Sequence, residues 1–148
     1  MANQIEIIAR GVCIREDRVL VCRSVAGGYC YLPGGHVEFG ETAQFALSRE
    51  VSEETGFESA VGDLLGVDEC RFAQAGKSGK LKPRHEINLL YELQLLPRGT
   101  KCIAVPSLEP HIDFRWVWVV ELLAANFKPE SIRLRIANIV PRGKKQKV

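Results

Sequence analysis

The order of predicted elements in this chain of 148 residues indicates an α/β fold of the α+β kind, with a sheet of mixed strand direction sandwiched between helices. Segments with strand-like alternation lie before and after a helix at 42–55, and a second segment with helical spacing, 131–139, comes late in the chain. The composition, 46% hydrophobic and 26% charged, is typical of one folded domain, which we place at 1–148.

The strands alternate with turn and loop signals. Those predicted before the helix are 5–15, 19–23 and 29–32. Those predicted after it are 58–70, 85–95 and 113–120, the first of them either one strand or two broken near 62–65. Glu16 and Asp17 form the turn between the first two strands, and the glycine- and lysine-containing stretch 74–84 is predicted as a loop.

The helix at 42–55 has start and stop signals at both ends. Thr42 is a suitable N-cap, Gly34 and Gly35 form the turn before it, and Gly56 follows as the stop. At about 100° per residue, the apolar side chains of this segment fall on one stripe. They are Ala43, Ala46, Leu47 and Val51. The stripe predicts the face of the helix that packs on the sheet.

Three carboxylates, Glu50, Glu53 and Glu54, fall on or beside that stripe. Ionised groups turned toward the protein repel one another and are costly to desolvate unless a cation neutralises them, and a divalent metal would do so. Arg49 lies four positions before Glu53 and can reach it along the helix. The alternative interpretation is an ordinary solvated acidic face.

The spacing over 35–57, GHVEFGETAQFALSREVSEETGF, resembles the Nudix box, and every fixed position of that motif is filled. These positions are Gly35, Glu41, Arg49, Glu50, Val51, Glu53, Glu54, Gly56 and Phe57. The chain is therefore similar to the Nudix hydrolases, which split a diphosphate linkage in nucleoside diphosphates joined to another group. The resemblance implies an α/β/α sandwich with a mixed β-sheet, in which the box forms a loop, a helix and a loop.

The resemblance also implies roles for the box residues. Glu53 and Glu54 would be the principal metal ligands, Glu50 a further ligand or the group that polarises the attacking water, and the Gly34 carbonyl a backbone ligand. Arg49 would orient the glutamates. Mg²⁺ suits such oxygen ligands, and Mn²⁺ accepts similar ones and could substitute.

Outside these positions the candidates are more varied. Glu41 would serve geometry and the helix dipole more than catalysis, and Glu38 is either a first-turn partner or an exposed charge. Arg23 and Glu109 are candidates for substrate contact. Candidates for a general base from a later segment are Glu86, Glu109 and Asp113, each with the alternative of a surface charge. None of the histidines His36, His85 and His111 has a partner at ligand spacing, so none is assigned to metal.

Three functions are compatible with these residues. The first is Mg²⁺-dependent hydrolysis of a small nucleotide, such as a nucleoside triphosphate or ADP-ribose. The second is a nucleotide-sensing module without turnover. The third is hydrolysis at the 5′ end of RNA, supported only by basic residues in the loop and in the tail at about 141–148, which is expected to be disordered. Neither proline nor tyrosine occurs within 58–82, so the substrate is left open.

Composition limits the classes of partner, the location and the cysteine chemistry that we expect for this chain. The net charge of +2 does not indicate nucleic acid. The N-terminus lacks the pattern of a signal peptide, and no segment approaches the roughly 18 apolar residues of a membrane span, so we expect a cytoplasmic protein without membrane contact. Five scattered cysteines without a CxxC pair predict neither disulfides nor a zinc site. The resemblance also implies a possible homodimer.

Overall fold

The computed structural model describes residues 3–122, 124 and 126–146, with side chains up to residue 139. In chain order its elements are β1 (Ile5–Val12), β2 (Ile14–Arg15), β3 (Arg18–Ser24), β4 (Cys30–Tyr31), β5 (Gly34–His36), α1 (Ala43–Thr55), β6 (Ser59–Ala75), β7 (Leu81–Leu95), β8 (Ile112–Trp118), a 3₁₀ turn (Val119–Glu121) and α2 (Glu130–Gln146). The predicted mixture of strands and two helices is confirmed.

The described strands form two hydrogen-bonded sheets. One has the order β5-β1-β7-β6, in which β1 and β7 run parallel and the other neighbours antiparallel. The other has the order β2-β3-β4, with β8 paired to the free side of β3. The mixed strand direction is therefore as predicted. The parallel pair places the N-terminal strand directly beside a strand that begins about eighty residues later.

The two helices cover opposite faces of the strands. On β3, Val21 belongs to the core cluster that contains Ile136 of α2, and the adjacent Leu20 belongs to the cluster that contains Leu47 of α1. Because successive side chains of a strand point to opposite faces, the clusters lie on opposite sides. This confirms the predicted sandwich, and it places the carboxylates of α1 on one side of the sheet.

The segment after α1 differs in part from the prediction. β6 is one continuous strand, and its pairing with β7 shifts register between Val61 and Gly66, where a break was predicted near 62–65. An inserted residue of this kind bends a strand without ending it. The predicted loop at 74–84 is wrong over most of its length, because β6 and β7 pair up to Ala75 and Leu81. Cross-strand pairing outweighs the turn-forming composition, and only 76–80 connect the strands.

Smaller differences occur at other boundaries. The strand predicted at 5–15 divides at Cys13, and β5 includes the glycine pair that was predicted as a turn. The strand predicted at 113–120 ends at Trp118 and continues as the 3₁₀ turn. The helix predicted at 131–139 forms part of α2, which continues to Gln146. The disordered tail at about 141–148 stays a prediction, since its side chains and residues 147–148 lie outside the described residues.

Two expectations from composition can be compared with the fold. All five cysteines lie within the described residues as free thiols. In the part of the chain that the structure describes, no helix combines the length and the apolar character needed to cross a membrane.

Candidate metal and catalytic site

α1 begins and ends where its sequence predicts. The Thr42 hydroxyl accepts a hydrogen bond of 3.1 Å from the Phe45 N–H, and Gly56 closes the helix with a left-handed φ of 81°. Leu47 and Val51 are buried on the inner face. This register fixes the direction of Glu50 and Glu54, which lie one helical turn apart and border the buried face.

Glu54 is the most strongly perturbed carboxyl of the helix. Burial, followed by the nearby charge of Glu50, raises its pKa from 4.5 to about 8. Its Oε1 atom is buried and has no hydrogen-bond partner in the part of the chain that the structure describes, while the charge of Arg10 and a Gly34 backbone hydrogen bond lower the pKa of the same carboxyl. An unpartnered buried oxygen is costly, and a cation bound to it would remove the cost. This observation favours a cation-binding role for Glu54.

Glu50 lies against the glycine pair at the start of β5. Burial raises the pKa of its carboxyl, and the adjacent Arg49 opposes that rise. A Cβ at Gly35 would lie 2.5 Å from the Glu50 carboxyl carbon, so a side chain there would displace Glu50. Gly34 has a φ of 138°, and a Cβ there would collide with the Ala9 carbonyl. β5 therefore needs glycine at both positions to lie this close to β1 and to the Glu50 carboxyl.

Arg49 connects the loop before α1 to its acidic face. Its Nη1 atom donates to Glu50 Oε1 at 3.0 Å and lies 3.4 Å from Glu53, and its Nη2 donates to the His36 carbonyl at 3.2 Å. Its Nε and Nη2 atoms also donate to the two carboxyl oxygens of Glu41 at 3.0 and 2.7 Å. These bonds raise the pKa of Arg49 and lower that of Glu41.

Glu41 and Glu38 form the loop side of this arrangement. The Glu38 N–H donates a hydrogen bond of 2.8 Å to Glu41 Oε1, while the Glu38 side chain is exposed. Glu41 precedes the N-cap and is held by Arg49 and this N–H together. The contacts of Glu41 therefore hold the loop and Arg49 in position.

Glu53 differs from the other two acidic residues. Its side chain is 56% exposed, so the expectation that all three carboxylates turn toward the protein holds for Glu50 and Glu54 only. Among the described residues, no three His, Cys, Asp or Glu side chains are arranged to hold a metal on their own. Mg²⁺ is usually bound by one or two carboxylates together with waters and substrate phosphates, so an incomplete protein set with an orphaned oxygen fits it.

The candidates for a later base separate into three environments. Glu109 lies close enough to Glu54 for its charge to raise the pKa of that carboxyl. Its segment is tied to α1, because the Leu108 N–H donates to the Glu54 carbonyl at 2.8 Å. Asp113 instead accepts two hydrogen bonds from Arg23, at 3.1 and 2.6 Å, which lower its pKa. Asp113, a candidate base, and Arg23, a candidate phosphate contact, are therefore bound to each other.

Glu86 lies in a separate cleft of about 770 Å³, here named the Tyr31 cleft. It is lined by residues from the β6–β7 hairpin, from β4 and from the start of α2, with Arg10 of β1, Tyr31, Phe72, Glu86 and Lys128 among them. Glu86 is only 6% exposed.

Each of the three histidines faces a carboxylate: His36 with Glu6, His85 with Glu69, and His111 with Glu109.

Arg10 is the functional candidate that the sequence interpretation missed. Its charge lowers the otherwise raised pKa of Glu54, and it pairs in register with Gly34 across β1 and β5. Its side chain also donates to Asn88 Oδ1 at 3.2 Å and lies over the Tyr31 ring at 5.7 Å. The available signal was a charged residue inside a predominantly apolar strand.

Known proteins match this chain at three levels: a family, solved structures and relatives by sequence. The NUDIX domain family matches residues 6–137. Among solved structures, the MutT protein of Methanosarcina mazei has a TM-score of 0.71 with 23% identity over 97% of this chain and 99% of that chain. A NUDIX hydrolase of Nitrosomonas europaea has a TM-score of 0.65 with 20% identity over 95% and 91%. At these identities the likeness shows the fold.

Relatives by sequence match over shorter stretches. A Mycobacterium tuberculosis protein named "Putative 8-oxo-dGTP diphosphatase 2" is 44% identical over 75 residues, which cover 46% of this chain and 52% of that protein. An ADP-ribose pyrophosphatase of Methanocaldococcus jannaschii is 40% identical over 60 residues, 38% of this chain and 36% of that protein. The match thus spans between about a third and a half of these curated relatives. Since the family match extends over most of the chain, and the box, the sandwich and the solved structures agree with it, this protein belongs to the Nudix family.

Proposed function

We propose that this chain is a Mg²⁺-dependent hydrolase that splits a diphosphate linkage in a small nucleotide. The observation that carries the proposal is the buried, unpartnered Oε1 of Glu54, next to Glu50 and within a complete Nudix box. A structural carboxyl would normally have a donor at such a position. An oxygen without a donor, near Glu50 and Glu109 and with Arg10 as a cationic neighbour, is instead suited to a further cation.

Glu54, Glu53 and Glu50 are the proposed protein ligands, together with the Gly34 carbonyl. A bound Mg²⁺, for which Mn²⁺ could substitute, would cancel charge on the diphosphate oxygens and help generate the nucleophile. The Gly34–Gly35 pair of β5 supports this assignment, because its lack of side chains leaves the Glu50 carboxyl room beside the backbone. Glu53 is exposed and can turn toward a ligand without breaking buried contacts.

The remaining roles fall to side chains around these carboxylates. Arg49 holds Glu50 and Glu41 in fixed positions, so we assign it the orientation of the acidic cluster. Glu109 is the best placed of the later carboxylates to accept a proton from water, since it lies near Glu54 and, among the described residues, pairs with His111 and not with an arginine. Arg23 would contact substrate phosphates only if its bonds to Asp113 were shared or released.

The substrate class is proposed from the relatives and the cleft. The names of the matching relatives point to a nucleoside triphosphate or to ADP-ribose, both small nucleotides with a diphosphate linkage. The Tyr31 cleft is large enough for one nucleoside and lies next to the site through Arg10. A homodimer remains a prediction from the family, and a cytoplasmic location remains one from composition.

The proposal is tested by a product assay on the purified chain. Nucleoside triphosphates, including 8-oxo-dGTP, would be incubated with Mg²⁺ beside ADP-ribose, nucleotide sugars and dinucleotides, and phosphate, pyrophosphate and monophosphate would be separated by anion exchange. We expect hydrolysis of at least one nucleotide. Glu53→Gln and Glu54→Gln should each lose at least about 100-fold in kcat, whereas a variant of a residue that is not a metal ligand should keep its kcat. Glu58→Gln, an exposed residue just after α1, is the matched control.

The other outcomes separate the alternatives. Tight nucleotide binding without turnover in any member of the panel would indicate a sensing module. Turnover confined to triphosphorylated RNA, with a steep salt dependence of binding, would indicate action on RNA ends. Full activity of Glu53→Gln and Glu54→Gln would remove the proposed metal site.

A further inference from the structure

The Tyr31 cleft combines aromatic walls with a buried acidic group. Tyr29 and Tyr31 lie with their ring centroids 5.9 Å apart on one wall, and Phe72 lies on the β6 side. The Lys128 ammonium lies 4.8 Å from the centre of the Tyr29 ring. Aromatic rings of this kind are common platforms for the planar face of a nucleobase.

The walls of the cleft are fixed by backbone and buried polar contacts. The Cys30 N–H donates to the Asn126 carbonyl and the Lys128 N–H to the Cys30 carbonyl, both at 2.8 Å, which attaches the segment before α2 to β4. At the start of α2, Ser131 Oγ donates to the buried Asp68 at 2.7 Å. The cleft is therefore a preformed feature.

Glu86 is the unusual residue of this cleft. It is 6% exposed, and its hydrogen-bond partners among the described side chains are the Asn88 amide at 3.4 Å and the Cys70 thiol at 3.9 Å, both on Oε1. Both contacts are long and neutral, and the Arg84 guanidinium interacts with Glu86 through its charge while it donates hydrogen bonds to Glu6 and Gln74. A buried carboxyl with such weak partners is expensive unless a ligand supplies better donors.

The cleft is connected to the metal site by Arg10 and Asn88. Arg10 lines the cleft, donates to Asn88 Oδ1 at 3.2 Å and acts on the pKa of Glu54. Asn88, fully buried, donates in turn to Glu86. A nucleotide with its phosphates at Glu54 can thus extend past Arg10 and bring its base to Glu86.

We infer that the Tyr31 cleft holds the base of the substrate and that Glu86 selects guanine. This inference rests on the proposed function for the position of the phosphates. A carboxyl group repels phosphate and accepts N–H donors, so Glu86 faces the base end of the ligand. Guanine presents two adjacent donors, N1–H and the 2-amino group, which match the two oxygens of a carboxylate.

The other bases lack this pair. Adenine and cytosine have a ring nitrogen that accepts hydrogen bonds beside their amino group. The lone pair of that nitrogen would lie against a carboxylate oxygen and be repelled by it. Uracil and thymine have one N–H between two carbonyls. Hypoxanthine keeps N1–H and lacks the 2-amino group, so it serves as the intermediate case. A site built to bond a ligand group discriminates strongly against an analogue that lacks it.

The experiment is a comparison of GMP, IMP and AMP binding by isothermal titration calorimetry in Mg²⁺, in parallel with GTP and ATP hydrolysis. We expect the wild-type chain to bind GMP at least about tenfold tighter than AMP, with IMP between them. Glu86→Gln, which replaces one acceptor by a donor, should reduce the GMP preference to less than about threefold. Glu92→Gln, an exposed residue on the same strand, is the control and should keep the preference.

The other outcomes overturn either this inference or the proposed function. Equal affinity for GMP and AMP, or no binding of either, in the wild-type chain overturns the inference, and this comparison stands even if Glu86→Gln does not fold. A preference that persists in folded Glu86→Gln, or equal weakening of both ligands, as expected for a sugar contact, overturns it too. Guanine preference in binding without hydrolysis of any nucleotide would count against the proposed function alone, whereas hydrolysis without base preference would count against Glu86 alone.

Discussion

Arg49 and Glu41 form a two-point ion pair, in which Nε and Nη2 of the guanidinium donate hydrogen bonds of 3.0 and 2.7 Å to the two carboxyl oxygens. The same guanidinium reaches Glu50 and Glu53. The loop before α1 is thereby joined to the acidic face of the helix. The position of Glu50 depends on a residue that is not itself a proposed metal ligand.

Arg49→Lys tests this dependence. A lysine keeps the charge but cannot make the fork of contacts to Glu41 and Glu50 together. We expect kcat to fall by about 10- to 100-fold, as is typical when a residue that orients metal ligands is lost. Steady-state kinetics on the nucleotide identified in the product assay would measure it. Arg98→Lys, at an exposed position, is the control, and wild-type kcat in Arg49→Lys would contradict the assigned role.

Gly35→Ala tests the space between β5 and α1. The added Cβ would lie 2.5 Å from the Glu50 carboxyl carbon, which is the flexible end of a side chain and can move. We therefore expect a small change in Tm and a loss of at least about tenfold in kcat, since displacing a catalytic group by about 1 Å is costly. Gly76→Ala, where a Cβ makes only ordinary contact, is the comparison. An active Gly35→Ala would show that Glu50 need not occupy its observed position.

Glu109→Gln tests the candidate base. The substitution removes the ability to accept a proton and leaves size unchanged, so we expect kcat to fall by at least about 100-fold with little change in KM. Asp113→Asn is the informative partner variant, because Asp113 is already held by Arg23 and its pKa is lowered. It should keep most of its kcat. The reverse order of effects, measured on the same substrate, would transfer the role to Asp113.

Glu54→Gln tests the burial of the carboxyl through the pH dependence of stability. The pKa of Glu54 is about 8 in the folded chain against an ordinary 4.5. The folded state therefore holds a proton that the unfolded state has lost, and the free energy of unfolding contributed by this group falls as pH rises from 4.5 to 8. In EDTA, we expect Glu54→Gln to gain stability relative to the wild-type chain between pH 5 and pH 8.5.

Urea denaturation at the two pH values would measure that gain. Glu58→Gln, whose side chain is exposed, should follow the wild-type chain at both. A stability difference between Glu54→Gln and wild type that does not change with pH would mean that the carboxyl is solvated in the folded state.

The local features of the site could be predicted from the sequence. The caps of α1 at Thr42 and Gly56 and the buried stripe with Leu47 depend on neighbours within one or two helical turns, and the structure places them as predicted. The spacing of the box depends on the same local geometry. Sequence reasoning is reliable where the determining contacts are short in range.

The contacts across the sheet could not be predicted in the same way. Arg10 meets Asn88 only because β1 pairs in parallel with β7, and Arg23 meets Asp113 only through the register of β3 with β8. Such registers are set by the packing of the whole sheet. Helical spacing places Glu53 at the edge of the buried stripe, beside Ala46, and spacing alone did not decide whether its side chain would be exposed.

The most direct test of the central claim is a titration of Mn²⁺ into the purified chain, followed by electron paramagnetic resonance of the free ion. We predict saturable binding in the wild-type chain and in Glu58→Gln, and a loss of at least about tenfold in affinity in Glu54→Gln, because the buried oxygen is then no longer part of a carboxylate. Equal Mn²⁺ binding by all three proteins, or no binding even with a nucleotide present, would contradict a metal site on this helix.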